Sequence, residues 1–452
     1  SLLRPAAEKA DVRINPAQRH QVMIGFGGIT TPTAYTQLSS EGKKRWWQLL
    51  SQYNLLIQRE YPIGTRLHKN MDNWDRLEDA TPHYYGDNFP NGEISDFDYL
   101  KTFRRIGGQV WFEFWALPPW MCTESHEAGK QGIPKSRKVD IQAYVRGMVD
   151  YCRTSQKRSG APPEVVGIQN EVTQPPEVWH AMTRALRRGL DEAGFRKVRI
   201  HMADSSNLRG GIKCAEAFRS DKRAWETIDY AAAHMYDYQG FFDKPDAYDP
   251  LLKKWKQVIG DKPFLSTEIC VNSGRFQWPE YRLALSMGQL YHKNLTLADA
   301  SAICYCWTLL NVVQPSYGWT RALFVPDCRN GFVPTASSHQ LRVFGAYSRR
   351  IRHGMTRVEA LSSEPDLLVS AFTGKDASKT IVLLNRSVRP LRVSLNCRDT
   401  RFNQQELVDS YCQNKILAAP APDGNDTTQF TIEPGSIVTL TNVLLGKLPD
   451  GM

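Results

Sequence analysis

Eight short apolar runs alternate with longer amphipathic stretches between residues 22 and 350, and few folds accommodate that order. The runs are VMIGFGG, LLIQREYPIG, QVWFEFW, EVVGIQNE, KVRIHMAD, IDYAAAHMYD, PFLSTEI and ASAICYCWTLL. Between them lie helix-like segments such as SSEGKKRWWQLLSQ, with Ser39 or Ser40 as cap, DIQAYVRGMVDYCRTSQ and PEVWHAMTRALRRGLDEAG. An open doubly wound sheet shares the alternation, but eight strands each followed by a helix is the count of a (β/α)8 barrel. After residue 350 the helical period stops. LLVSAFTG, KTIVLLNRS, LRVSLNC, TQFTIEPG and SIVTLTNV read as short strands separated by turns, an all-β sandwich beside the barrel. The expected division is therefore α/β: a barrel over 22–350 and a β-sandwich side domain over 351–452, joined by an N-terminal strand from 1–21 around DVRINP.

No run of about 18 apolar residues occurs, so no membrane span is expected. SLLRPAAEKADVR has no apolar signal core, which suits a cytosolic chain or a mature one whose leader is gone. The formal charge of +10 is scattered, and its clusters, RALRR at 184–188 and YSRRIRH at 347–353, read as solvated helix faces. With no nucleic-acid motif present, such a charge speaks to solubility and non-specific attraction; an acidic polysaccharide uses it better. Nine cysteines leave at least one thiol unpaired. Cys304 and Cys306 alternate as small buried hydrophobes, Cys397 and Cys412 are a candidate bridge, and no CxxC pair suggests zinc. Triplets at Asn294, Asn385 and Asn425 carry the glycosylation pattern without deciding the compartment.

The fourth run, VVGIQNEVTQPP, ends in Asn170 and Glu171 before two prolines. A strand buried on both faces avoids an unpaired carboxylate, which costs several kcal/mol or shifts its pKa. Glu268 stands likewise near the end of the seventh run, 97 residues on, which leaves room for three βα units between them. Taken singly, each glutamate is explained by capping a helix or pairing an arginine. Taken together, at the C-terminal ends of strands four and seven of a barrel, they have the layout of glycoside hydrolysis, one acid for the leaving oxygen and one carboxylate to attack or activate water.

Other candidates gather around these two. His234 and Tyr236 alternate in AAAHMYD, so they share a face of strand six; a core pair and a role beside Glu268 are both open. Trp115 and Trp307 end strands three and eight, where an aromatic face offers a sugar a platform, the other account being core filling. Trp120, Trp319 and Arg321 fall in loops on the same side, and Glu60, Asp204 and Asp237 are further strand-end acids. GFGG lacks the third glycine and the immediate helix of a dinucleotide fingerprint. Glu124, His126 and Glu127 in ESHEAG read as a solvated loop rather than a metal site, so no metal and no cofactor is expected.

In order along the chain, IGFGG, WALPPWM, GIQNE, STE and the exit FGAYSRRIRHG followed by VSAFTG, IVLLNRS and GSIVTL resemble glycoside hydrolase family 30, the glucosylceramidase-like and xylanase-like retaining enzymes of the large (β/α)8 clan. The resemblance implies Glu171 as acid/base, Glu268 as nucleophile and Asn170 as donor to the sugar 2-hydroxyl. It also implies an arginine on strand two, for which Arg59, on the face of Leu55 and Ile57, competes with Arg66. The expectation is a retaining β-glycosidase acting on a carbohydrate chain or glycoconjugate as a monomer, without nucleic acid, in a secreted or periplasmic location. The competing reading is a catalytically inactive carbohydrate-binding barrel.

Overall fold

The computed structural model describes residues 7–30, 32–60, 97–115, 117, 121–123, 138–271, 278–309, 322–327, 329–397, 401–411 and 415–452, with two short strands at 127–128 and 134–135. Eight parallel strands form one ring: Gly25–Thr30, Leu55–Glu60, Gln109–Phe112, Val165–Gly167, Arg199–His201, Ala231–His234, Phe264–Ile269 and Ala300–Leu309. Strand eight pairs with strand one, Cys304 opposite Gly27, and a parallel bridge between His201 and Tyr230 joins strands five and six. The fold is thus the (β/α)8 barrel, with a helix after every strand.

Local signals explain the helix boundaries. Ser39, not Ser40, caps Ser40–Gln52 by accepting from the Gly42 N–H, and Asp140 caps Ile141–Ser159, which stops at left-handed Gly160. The GFGG glycines are demanded by packing between strands. A Cβ on Gly27 would stand 2.0 Å from the Ile57 carbonyl oxygen, and one on Gly28 2.1 Å from that of Tyr305. They bring strands one, two and eight together, and no nucleotide is needed to explain them.

Because side chains alternate along a strand, every second residue enters the barrel. Ile57, Trp111, Val165, Leu265, Ala302 and Cys304 meet there as an apolar plug. Two residues further towards the C-terminal mouth, the same strands present Arg59, Glu113, Gly167 and Thr267. The plug is dry, and the layer above it is polar.

The second module is a nine-stranded sheet in which the N-terminal strand Glu8–Val22 runs antiparallel to Thr356–Ser362 and parallel to Leu391–Asn396. Ala10, Val12, Val358, Val369, Ile381, Leu383, Val393 and Leu440 make its own core. On the opposite face Val382, Leu384 and Ile437 join the barrel's core, where Gly288 of helix Glu280–Leu297 leaves the room that Leu384 and Val343 fill. The YSRRIRH cluster is not a solvated face: Arg350 is fully buried, its Nε donates to Glu406 Oε1 at 2.9 Å, Arg349 stands 3.5 Å from the same oxygen, and Arg352 donates to the Leu444 carbonyl. These cations tie the last barrel helix to the sheet. In RALRR, Arg184 and Arg188 do face solvent. Asn294 and Asn385 are fully buried and only Asn425 is exposed, so one glycosylation triplet of three is accessible. Among the described residues no helix is long and apolar enough to cross a membrane.

Candidate active site

Strand four loses its ladder at Gly167, earlier than its apolar run suggests. Asn170 then forms a single bridge with Asp204, and Glu171, whose N–H donates to the Asp204 carbonyl at 2.8 Å, sits in the left-handed region with φ 49°. A side chain there pays of order 1–2 kcal/mol, and the turn it makes points the Glu171 carboxylate to the mouth. On strand seven the pairing register shifts between Ser266 and Glu268. A bulge of this kind re-aims a side chain. Here Thr267 and Glu268 both reach the polar layer: Thr267 Oγ1 donates to Asp204 Oδ2 at 2.6 Å.

Arg59 is the centre of that layer. Its Nη1 donates to Glu268 Oε2 at 2.7 Å, while Nη2 donates to Glu113 Oε2 at 2.7 Å and Asn170 Oδ1 at 2.8 Å and lies 3.4 Å from Asp204. Glu268 receives a second donor from strand six's exit, the Tyr236 hydroxyl, at 2.5 Å. Tyr236 is not on the strand with His234, as alternation suggested. The strand ends at His234, Met235 turns the chain, and Tyr236 opens a short 3-10 helix that carries it back over Glu268.

His234 joins the two glutamates. Its Nδ1 is 2.7 Å from Glu171 Oε1, and its Nε2 faces Asp204 Oδ2 at 3.2 Å and Glu268 Oε2 at 3.7 Å. Burial alone would push this imidazole down, but the charges of Glu268 and Asp204 outweigh it and hold the pKa up at about 10. Burial would raise Asp204, yet His234 and Arg59 keep it well below the usual carboxylate range. Glu113 goes the other way, pushed well up by burial and then by Asp204 against the pull of Arg59. The Tyr236 hydroxyl is raised by burial and stays a donor.

One oxygen each of Glu171 and Glu268 and a nitrogen of His234 all lie within 4.8 Å of one another, so the two carboxyl groups share one small space. Glu113, His201 and Asp204 form a second such group. There the guanidinium of Arg59 supplies the positive charge that a bound cation would otherwise bring. Trp115 and Trp307 meet with ring centroids 5.9 Å apart at 53°, each 3% exposed, as a wall beside Arg59, whose Cζ is 6.0 Å from the Trp115 ring. The Cys306–Trp307 peptide is cis.

Of the other acids, Asp204 belongs to the network, and two do not. Glu60 faces the opposite side of strand two and accepts from Gln58, while Asp237 accepts from the Leu208 N–H and the Tyr248 hydroxyl. Trp120, Trp319, Arg321, Arg66, Glu124, His126 and Cys412 lie outside the described residues. Glu113 and His201 escaped the sequence reading. The available signal was parity: Glu113 falls between Trp111 and Trp115 in QVWFEFW, so it had to face inward.

Comparison with known proteins agrees with this architecture. A Bacillus subtilis protein named glucuronoxylanase XynC is 23% identical over 385 residues, which is 84% of this chain and 78% of that one. The catalytic domain of a GH30 xylanase C from Talaromyces cellulolyticus superposes with a TM-score of 0.71 at 17% identity, covering 95% of this chain and 99% of that one. A conserved exported protein from Bacteroides fragilis does so at 0.73 and 15%, with the same coverages. At these identities the structural neighbours speak to the fold. Residues 354–440, most of the second sheet, match the family model described as the glycosyl hydrolase family 30 beta sandwich domain. The second sheet is thus a glycoside hydrolase family 30 β-sandwich domain, packed on a barrel of the expected kind.

Proposed function

We propose that the protein is a retaining glycosidase that cleaves β-linked oligo- or polysaccharides by double displacement. The observation that carries this reading is the proximity of the two acids. Retaining enzymes hold their carboxyl groups about 5–5.5 Å apart and inverting ones about 6.5–9.5 Å, and here an oxygen of each lies within 4.8 Å of the other. Glu268 attacks the anomeric carbon. Two donors, Arg59 and Tyr236, keep it oriented.

Glu171 protonates the departing oxygen and then deprotonates water. Its Oε1 lies 2.7 Å from His234 Nδ1, which orients the carboxyl group for both proton transfers. Asn170, held by Arg59, donates its amide to the sugar 2-hydroxyl. Trp115 and Trp307 form an apolar wall for the ring. Residues 22–350 carry the chemistry, while 351–452 and the N-terminal strand brace the barrel; the location is extracellular or periplasmic. Xylan is the first substrate to test, because the named B. subtilis relative is a glucuronoxylanase.

The test is turnover of glucuronoxylan, β-1,6-glucan and 2,4-dinitrophenyl β-xylobioside, β-cellobioside and β-glucoside, with the first-formed anomer read by NMR. Retention with the parent and its loss in Glu268→Gln is the expected result. An inverted product, or equal turnover by both proteins, overturns the reading.

A further inference from the structure

Beneath the residues assigned so far lies a carboxyl group with no role in the double displacement. Glu113 is 1% exposed, and its Oε2 receives the same Arg59 nitrogen that donates to Asn170. Its other oxygen, Oε1, is fully buried without a hydrogen-bond partner. His201 Nε2 lies 3.8 Å from Oε2, and because His201 Nδ1 is committed to the Met202 carbonyl at 2.6 Å, the ring presents a lone pair to Glu113 rather than an N–H. The space is built for this pair: a Cβ on Gly167 would stand 2.7 Å from Glu113 Cδ and 2.3 Å from His201 Nε2.

We propose that Glu113 is a positioning residue, fixing the Arg59 guanidinium from below so that one nitrogen is aimed at Glu268 and the other at Asn170. It does so as an uncharged acid. A carboxylate facing an imidazole lone pair with one bare buried oxygen would be repelled and undersolvated, whereas a carboxylic acid tolerates both. Burial and the nearby Asp204 favour the same form. As a neutral acceptor it orients Arg59 without drawing its charge away from Glu268. A guanidinium needs this. It has five donors in a plane and rotates about its stem unless acceptors fix more than one edge.

The inference rests on the glycosidase reading, and its test separates the two. Parent, Glu113→Gln and Glu113→Ala are assayed on 2,4-dinitrophenyl β-xylobioside, β-cellobioside and β-glucoside across pH. Labelling by the matching 2-deoxy-2-fluoro glycosides is followed by mass spectrometry at Glu268. For the parent, turnover and a label on Glu268 are expected. Glu113→Ala should lose at least tenfold in kcat with KM within threefold and label correspondingly slowly. Glu113→Gln, which keeps the acceptor oxygen and the neutral charge, should restore the rate to within threefold of the parent with an unshifted acid limb.

A folded Glu113→Ala protein with kcat and labelling rate within twofold of the parent overturns the positioning role alone. So does a Glu113→Gln protein that loses tenfold or shifts its acid limb, since charge would then be what matters; this second variant decides the case where Glu113→Ala does not fold. A parent that neither turns over nor labels removes the underlying reading, and the inference with it.

Discussion

Replacing Tyr236 with phenylalanine removes one hydroxyl and little else, since the ring keeps its edge-on contact with His234 at 6.0 Å between centroids. The lost hydrogen bond runs to a carboxylate and is short, 2.5 Å, and such charge-assisted bonds contribute about 1.5–3 kcal/mol. Which step suffers follows from where the charge goes. In the proposed mechanism the negative charge of Glu268 disappears into the glycosyl ester as it attacks, so the hydroxyl helps least there. When water displaces the sugar, charge returns to the same oxygens and the bond strengthens on the way to the transition state. The second step should therefore slow by about 10- to 150-fold, the first by less.

With a dinitrophenyl glycoside the variant should show a burst of phenolate equal to the enzyme concentration, a reduced kcat and a reduced KM, because the glycosyl-enzyme accumulates. Rapid-mixing kinetics and intact mass spectrometry read both effects. A kcat within twofold of the parent and no burst would refute the argument. So would an equal slowing of both steps in a protein whose melting temperature has fallen, which is the mark of a loosened site.

Three further outcomes follow from packing and charge. Gly28→Ala pushes a Cβ to 2.1 Å from the Tyr305 carbonyl oxygen and 2.3 Å from Thr308 Oγ1, and should cost about 3 kcal/mol or prevent folding; an unchanged melting temperature contradicts it. Glu406→Gln strands Arg350 without its buried counter-charge, which should cost about 3–5 kcal/mol in a urea unfolding curve, and an unmoved midpoint rejects the tie between barrel and sheet. The third concerns pH. His201 is held down to about 4 by burial, so below its unfolded value of about 6.5 the unfolded chain binds the extra proton and stability falls by about 1.4 kcal/mol per pH unit until about pH 4. His234 is held up at about 10, so its contribution is complete below about pH 6.5 and lost as pH rises towards 10. Unfolding free energies should lose their acid slope in His201→Gln and their alkaline slope in His234→Gln, and slopes unchanged in both variants contradict the assignments.

The barrel was legible because its signal is repeated eight times, and each run bears the same relation to its helix. Glu171 and Glu268 were legible for a different reason: a carboxylate where an apolar strand should continue is a local contradiction, and such contradictions mark sites. Three readings fell to neighbours that a run of sequence does not name. Alternation put Tyr236 on the strand of His234, composition put Arg349 and Arg350 in solvent, and Glu60 joined the list of binding acids. In the first two cases the deciding fact was which neighbour comes across from a distant element, Glu268 and Glu406, while Glu60 lies on the Gln58 face of its own strand. A single strand's pattern gives the direction of a side chain but not its partner, and neither the register shift that turns Glu268 nor the left-handed turn at Glu171 has a period to read.

Charge balance explains why the site needs the residues that the sequence hid. Four carboxyl groups, Glu113, Glu171, Asp204 and Glu268, surround two cations, Arg59 and His234, in a space mostly closed to water. Were every acid ionised, the excess of negative charge would have to be borne in a low dielectric, where it is expensive. The arrangement relieves this at both ends. Glu113 keeps its proton on the buried side, which leaves three carboxyl groups, Glu171, Asp204 and Glu268, beside the two cations Arg59 and His234. Neutrality takes one proton more than His234 holds, and in the proposed mechanism that is the proton Glu171 gives up, at the edge of the site where its side chain is more exposed than those of His234, Asp204 and Glu268.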